Sequence, residues 1–288
     1  MKISFIGLGA MGYPMAGHLP GSHKVTVWNR TDGVAQRHAK EFGSHAAESL
    51  AECANAEVVI SILPTSVEVN GIVERLLPHL ERGTLWIDAT SGEPEMARDT
   101  AATLAAAGVG FVDAPVTGGV PGAEKGTLTV MMGGAADDAE RATEIMKAYG
   151  AKIFHVGGIG TGNAIKAMAN TMMATNMLIA AECLYSLRKL GFDMKLALDV
   201  LNAGSGRSNV SENLLPKRLV DGEWPATFKL WLLDKDVRIA TSIMHDQHLS
   251  APIANLASQL YTAALREKPD SDYIEIVKFV AALNGEEW

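Results

Sequence analysis

The chain has 288 residues, of which 48% are hydrophobic and 20% charged, a composition typical of a globular protein long enough for two cores. Its net charge of −8, without a basic stripe interleaved with aromatic residues, argues against nucleic acid as a partner. Because both cysteines lie outside metal-binding spacings, and no signal-like segment or long uncharged apolar run is present, we expect a cytoplasmic protein that spans no membrane.

Short apolar runs alternate with helical patterns through the first half of the chain. The predicted strands are 2–6, 24–28, 58–63, 84–88, 110–113, 128–133 and 152–156. The predicted helices between them are 11–19, 34–42, 69–80 and 96–107. Strands that alternate with helices predict an α/β domain with a parallel, doubly wound sheet.

After Gly162 the pattern becomes helical throughout. Residues 163–190 are rich in Ala and Met and contain neither Gly nor Pro, which predicts one helix of about 40 Å. Because this stretch is apolar on nearly all sides, we expect it to be buried on most faces and to pack against a second copy of the chain. The shorter predicted helices are 195–202, 210–220, 229–245, 252–265 and 273–283.

Three glycines form a G-x-G-x-x-G motif between the first predicted strand and the first predicted helix. Gly7 permits the tight turn, Gly9 lets the backbone approach a pyrophosphate, and Gly12 allows close packing of helix on strand. The helix N-terminus offers N–H groups to the phosphates. A plain glycine turn is the alternative, but the strand–turn–helix context favours a dinucleotide site.

The end of the second predicted strand bears on the choice between NAD and NADP. A carboxylate there would bind the ribose hydroxyl of NAD, whereas this chain has Asn29, Arg30 and Thr31. Arg30 can pair with a 2′-phosphate, and its neighbours can donate hydrogen bonds without repelling it. We therefore predict NADP. NAD use stays open because Asp32 is near, and Arg30 can instead cover the adenine face.

Four sequence blocks follow one another along the chain: 7–16 (GLGAMGYPMA), 113–119 (DAPVTGG), 160–170 (GTGNAIKAMAN) and 235–240 (KDVRIA). Together they resemble the β-hydroxyacid dehydrogenase family, which includes 3-hydroxyisobutyrate dehydrogenase. The resemblance implies a Rossmann domain, a long linking helix and an all-helical second domain. We accordingly predict an NADP-binding domain at 1–162 and an all-α substrate and oligomerisation domain at 163–288, in a homodimer or homotetramer.

The resemblance implies that Lys166 transfers a proton at the substrate oxygen and that Asn170 orients the substrate. The two residues are four apart and so share one face of the predicted helix. The helix N-terminus and partial burial would both lower the pKa of Lys166, which suits proton transfer. An exposed helical lysine beside an unrelated asparagine is the alternative.

Thr117, Gly118 and Gly119 offer a hydroxyl and backbone N–H groups, and the resemblance implies that they bind the carboxylate of a small substrate. A plain turn after a strand is the alternative. Most relatives have Ser where this chain has Thr117, so the extra methyl narrows the pocket. By the same resemblance Lys235 lies near substrate and cofactor, although adjacent charges on a helix usually mark a solvated edge. The predicted cofactor-binding residues are Gly7, Leu8, Gly9, Met11, Gly12, Asn29, Arg30, Thr31, Leu63, Pro64, Ser91 and Lys235.

The function predicted is the reversible, NADP-linked interconversion of a short 3-hydroxy or terminal-hydroxy acid with its semialdehyde. An imine reductase of similar architecture and a non-catalytic scaffold that keeps the cofactor fold are the alternatives. Lys166 argues for a hydroxy acid. No metal-binding motif is present. Arg207 can meet a second acid group of the substrate, or only solvent.

Overall fold

The computed structural model describes all residues, Met1–Trp288, and these form two compact units. The first unit is Met1–Lys166 and the second is Ala167–Trp288. The sequence placed the boundary after Gly162, whereas the units divide after Lys166, inside the long helix.

The first unit is built on one nine-stranded sheet. Its strands are β1 Lys2–Ile6, β2 Lys24–Trp28, β3 His45–Ala46, β4 Val58–Ser61, β5 Leu85–Asp88, β6 Gly110–Asp113, β7 Val116–Thr117, β8 Leu128–Gly134 and β9 Gly150–Gly157. The order β3-β2-β1-β4-β5-β6 is parallel throughout and is the order of a Rossmann sheet, with its reversal between β1 and β4. The predicted parallel sheet is therefore confirmed, except that β8 runs antiparallel to β6 and β7.

Helices cover both faces of this sheet. They are α1 Gly12–Gly17, α2 Val34–Phe42, α3 Ser66–Leu76, α4 Pro94–Ala106, α5 Gly119–Glu124 and α6 Ala136–Met146. In β5, Leu85 and Ile87 enter one apolar cluster while Trp86 enters the other. A strand that is buried on both sides reads as a continuous apolar run, which explains why the sequence located β1, β4 and β5 so readily.

The second unit is helical, as predicted. It contains most of α7 Thr161–Lys189, which starts in the first unit, followed by α8 Met194–Ala203, a π-helix Val210–Leu214, α9 Leu215–Leu219, α10 Leu230–Asp246, α11 Pro252–Glu267 and α12 Ile276–Ala282. Its core gathers around the fully buried Tyr261, whose hydroxyl donates to the backbone oxygen of Ala174 in α7. Beyond α7 the only strand-like pairing is one isolated bridge between Lys229 and Asp272.

One side of α7 is left uncovered within the single chain. Met172 and Ile179, seven residues apart, keep 68% and 55% of their surface exposed. Composition shows that a helix is apolar all round, but not which side another element covers. None of the helices is long and apolar enough to cross a membrane.

Candidate active site

Two of the motif glycines are required by packing within the fold. A Cβ on Gly7 would lie 2.2 Å from the backbone oxygen of Ile62, and the φ of Gly7 is +100°. A Cβ on Gly12 would lie 2.0 Å from the backbone oxygen of Gly7. The turn between β1 and α1 is therefore pressed onto the chain that leaves β4, and no larger residue fits at either position.

Gly9 has a different reason to be glycine. It is exposed, and a Cβ built on it meets no protein atom within 4 Å. Nothing inside the chain demands a glycine there, so the bare backbone suits a ligand that approaches from outside. This open loop at the point where strand order reverses fits the pyrophosphate of a dinucleotide.

Asn29 shapes the glycine loop from the end of β2. Its Oδ1 accepts a hydrogen bond of 2.9 Å from the N–H of Leu8, and its Nδ2 donates at 3.4 Å to the backbone oxygen of Thr31. Asn29, which was predicted to donate a hydrogen bond to the cofactor, thus already makes hydrogen bonds within the protein. Arg30 and Thr31, which follow it, are exposed at the same end of the strand.

A buried aspartate ties together the two further loops that were predicted to bind the cofactor. Asp88, at the end of β5, accepts hydrogen bonds from the Ser61 hydroxyl at 2.8 Å and from the N–H of Thr90 at 3.1 Å. The Thr90 hydroxyl in turn accepts from the N–H of Leu63 at 3.0 Å. The loop that follows β4 and the loop that follows β5, which carries Ser91, are therefore held by one carboxylate.

Lys166 lies near the start of α7 and is half-buried. The first turn of that helix is fixed to the sheet, because the Asp113 carboxylate accepts the N–H groups of Gly160 at 2.7 Å and Asn163 at 2.9 Å. Burial is the main cause that raises the pKa of Asp113 to about 6, and these two N–H groups act against it. The predicted proton-transfer residue is therefore carried by a helix whose start is firmly anchored.

The predicted carboxylate-binding segment begins at the last residue of the short strand β7. Thr117, Gly118 and Gly119 are all exposed, and the two glycines have φ values of +131° and +63°. Backbone of this conformation favours glycine. The segment is therefore shaped to let an anionic group approach the main chain.

Within the second unit, Asn170 and Lys235 meet on one buried carboxylate. Asp236 accepts a hydrogen bond of 2.5 Å from Nδ2 of Asn170, and its other oxygen lies 2.8 Å from Nζ of Lys235. All three side chains are more than nine-tenths buried. Lys235 therefore does not lie on a solvated edge of its helix. The structure brings together Asn170 and Lys235, which were both predicted site residues.

Asp236 was not among the predicted site residues. A signal for it was present, since Asp236 lies three residues after Leu233 and four before Ala240 and so falls on the apolar face of α10. A carboxylate on an apolar face needs a buried partner. Arg207, by contrast, is exposed and pairs with Glu212 at 3.1 Å, so its guanidinium is engaged locally. No group of three or more metal-ligating side chains is present.

Comparison with known families matches both units. Residues 2–158 match the family described as the NAD binding domain of 6-phosphogluconate dehydrogenase. Residues 160–280 match the family described as the NAD-binding domain of NADP-dependent 3-hydroxyisobutyrate dehydrogenase. The two matches leave little of the chain uncovered.

Individual relatives agree with the family matches. The chain is 32% identical over 281 residues to the 3-hydroxyisobutyrate dehydrogenase of Pseudomonas aeruginosa, and the aligned region covers 94% of each chain. It is 33% identical over 276 residues to the 2-(hydroxymethyl)glutarate dehydrogenase of Eubacterium barkeri, and this alignment covers 91% of this chain and 88% of the relative. A structure of Mycobacterium tuberculosis 3-hydroxyisobutyrate dehydrogenase with L-serine superposes with a TM-score of 0.87 at 28% identity and covers 97% of this chain and 98% of that one.

Proposed function

The chain belongs to the β-hydroxyacid dehydrogenase family of NAD(P)-dependent oxidoreductases, and from that membership we propose that it is an NADP-preferring enzyme that interconverts a small 3-hydroxy or terminal-hydroxy acid and its semialdehyde. The observation that carries the proposal is the position of Lys166, in the second turn of a helix whose first turn is anchored at the carboxyl end of β6. Ligands of open α/β sheets bind at that edge.

The end of β2 supports NADP over NAD. Asn29 already uses its oxygen to accept the N–H of Leu8, and its Nδ2 is a donor. Arg30 next to it is exposed and carries a guanidinium, which suits a 2′-phosphate. The glycine loop and the loops that carry Leu63, Pro64 and Ser91 would hold the remainder of the dinucleotide.

The chemistry divides between cofactor and protein. A bound nicotinamide would supply or accept the hydride at the carbon that bears the reacting oxygen. Lys166 Nζ would give a proton to that oxygen in the direction of reduction and remove it in the direction of oxidation. Asn170, whose amide is fixed by Asp236, would orient the oxygen, and Lys235 would add a positive charge for substrate and cofactor.

The segment 117–119, at the end of β7, supports the choice of substrate class. The hydroxyl of Thr117 and the N–H groups of Gly118 and Gly119 would bind a carboxylate. The methyl group of Thr117 narrows this site and favours short acids. The relatives named for 3-hydroxyisobutyrate and for 2-(hydroxymethyl)glutarate act on acids of this general kind, which supports the choice.

We also propose that the protein works as a homodimer or homotetramer. Met172 and Ile179 present an uncovered apolar side of α7, the kind of surface that a second copy would bury. Light scattering at micromolar concentration tests this, and a monomer would contradict it. If the protein is an oligomer, replacing both Met172 and Ile179 by Glu should convert it to monomers.

A kinetic panel tests the activity itself. Short semialdehydes and hydroxy acids would be assayed with NADP(H) and NAD(H) side by side, together with a cyclic imine. We expect NADPH-dependent reduction of at least one carboxylate-bearing semialdehyde. Turnover of the imine alone would point to an imine reductase. NADPH binding without any turnover would point to a non-catalytic scaffold.

A further inference from the structure

Two buried aspartates stand side by side at the edge of the sheet where the site lies. Asp88 ends β5 and Asp113 ends β6, and the two are paired in register. Their exposed fractions are 4% and 0%. Buried carboxylates are costly unless hydrogen bonds compensate for lost water, so the partners of each aspartate show what it holds in place.

The partners of Asp113 are N–H groups just before and within the first turn of α7. Its Oδ1 accepts from Gly160 at 2.7 Å and its Oδ2 from Asn163 at 2.9 Å. The N–H groups at the start of a helix have no partner within the helix and are usually capped by a neighbouring side chain. Here the capping carboxylate is that of Asp113 at the end of β6, 50 residues before Asn163 in sequence. Asn163 precedes Lys166 by three residues.

Close packing acts on the same turn as this cap. A Cβ on Gly162 would lie 2.4 Å from the backbone oxygen of Met131, and a Cβ on Gly133 would lie 2.5 Å from that of Gly158. The side chain of Asn163 accepts the N–H of Gly92 at 3.1 Å. The first turn of α7 is therefore fixed against the ends of β6 and β8 and the loop after β5.

Two partners of Asp88 lie outside α7. Through Ser61 and Thr90 it holds the loops that follow β4 and β5, as described above. Neighbouring carboxylates thus serve different parts of the site. Asp88 shapes the loops assigned to the cofactor, and Asp113 anchors the helix that carries Lys166.

We propose that Asp113 is a positioning residue for proton transfer, because its carboxylate fixes the helix turn from which Lys166 projects, and that Asp88 positions the cofactor loops instead. This inference rests on the proposed function of Lys166. It predicts that two isosteric, charge-removing substitutions on adjacent strands affect different kinetic constants. A displacement of about 1 Å at a reacting group can cost about a hundredfold in rate, so the effect of losing the anchor is measurable.

The test compares Asp113→Asn with Asp88→Asn in the full chain, with the best substrate of the panel and NADPH. For Asp113→Asn we expect kcat to fall by about ten- to a hundredfold, with the KM for NADPH changed by less than about threefold. For Asp88→Asn we expect the KM for NADPH to rise by more than kcat falls. Asp113→Ala, which removes both acceptors, should lower kcat further than Asp113→Asn. A folded Asp113→Asn protein with wild-type kcat, or one that changes both constants in the same proportion as Asp88→Asn, would overturn the proposal.

A measurement on the unmodified protein covers the case in which the variants do not fold. The amide signals of Gly160 and Asn163 in NMR spectra should shift with pH as Asp113 gains its proton, with a midpoint near the pKa of about 6. The charged neighbours are Asp88 on β5, which raises the pKa of Asp113, and Arg98 on α4, whose own pKa Asp113 raises. The single-turnover rate should fall on acidification with the same midpoint. A titration of both amides with no change in rate would refute the role.

Failure of this inference can be distinguished from failure of the proposed function. If Lys166→Ala keeps full turnover, the assignment of Lys166 is wrong whatever Asp113 does. If Lys166→Ala is inactive while Asp113→Asn is folded and has wild-type kcat, only the positioning role of Asp113 is lost.

Discussion

The amide of Asn170 donates a hydrogen bond of 2.5 Å to the carboxylate of Asp236, a residue 66 positions later in the chain. The same carboxylate pairs with the buried Nζ of Lys235. Two residues to which the family resemblance gives roles at the substrate are thus oriented by a third that has no assigned role. Orientation by a fixed buried partner reduces the reorganisation that the site needs during reaction.

Replacement of Asp236 should destabilise the protein as well as slow it. Asp236→Ala removes the carboxylate that lies 2.8 Å from the buried ammonium of Lys235, and breaking a buried ion pair typically costs about 3–5 kcal/mol of unfolding free energy. Asp236→Asn keeps the shape but removes the charge, so a smaller loss is expected. Urea denaturation measures both values.

An exposed ion pair supplies the control for that experiment. Arg207 and Glu212 pair with 61% and 40% of their side-chain surfaces exposed. Glu212→Ala should change the unfolding free energy by no more than about 1 kcal/mol. Equal losses in Glu212→Ala and Asp236→Ala would show that burial of the Lys235–Asp236 pair has no special importance.

The motif glycines should separate into structural and ligand-facing positions. Gly12→Ala places a methyl group against the backbone oxygen of Gly7, so we expect a loss of about 3 kcal/mol in stability. Gly9→Ala meets no protein atom, so its melting temperature should match the wild type, while its Kd for NADPH rises by about tenfold or more. Thermal melts and fluorescence titration measure the two effects. Gly9→Ala with unchanged NADPH affinity would remove the loop from the cofactor site.

Arg30 should decide the preference for NADP. Loss of a charge-assisted hydrogen bond to a phosphate costs about 1.5–3 kcal/mol, so Arg30→Ala should lower kcat/KM for NADPH by about tenfold or more and leave that for NADH nearly unchanged. Arg75→Ala, an exposed arginine in the last turn of α3, is the matched control. An equal loss with both cofactors would argue against contact with a 2′-phosphate.

Asp113 should also leave a signature in the dependence of stability on pH. Burial raises its pKa from 3.8 to about 6, so the folded state binds this proton more tightly than the unfolded state. The resulting stability is fully present below pH 3.8 and is lost as the pH rises through 6. Relative to Asp113→Asn, the wild type should therefore be more stable at pH 5 than at pH 8, by about 1 kcal/mol. The opposite slope in urea denaturation would mean that the two N–H groups outweigh burial.

Local pattern was enough to predict much of the first unit. The strands β1, β2 and β6 and the helix α2 begin and end where the sequence predicted, because apolar runs or helical periods are bounded there by glycine or polar residues. The two-residue strands β3 and β7 were missed, since a strand that short has no period to detect. The amphipathic α6 was missed as well, although its sequence, rich in Ala and charged residues, favours a helix.

The network that organises the site could not be predicted in the same way. Asp88, Asp113 and Asp236 were visible as single carboxylates, but each has a distant partner: Ser61, Asn163 and Asn170 lie 27, 50 and 66 residues away along the chain. Such pairs are set by how strands and helices are arranged in three dimensions, and no local period encodes them. The side of α7 that the rest of the chain leaves uncovered could not be predicted for a related reason, since apolar residues on all sides of a helix do not show which side is buried within the chain.

Substitution of Lys166 tests whether this side chain transfers the proton. Lys166→Met keeps the length of the side chain but cannot transfer a proton, so at saturating NADPH and semialdehyde we expect kcat to fall by about 10²- to 10⁴-fold. The Kd for NADPH should stay within about twofold of the wild type, and Lys152→Met, an exposed lysine in β9, should keep full activity. A Lys166→Met protein that binds NADPH and turns over within about threefold of the wild-type rate would show that Lys166 does not transfer the proton.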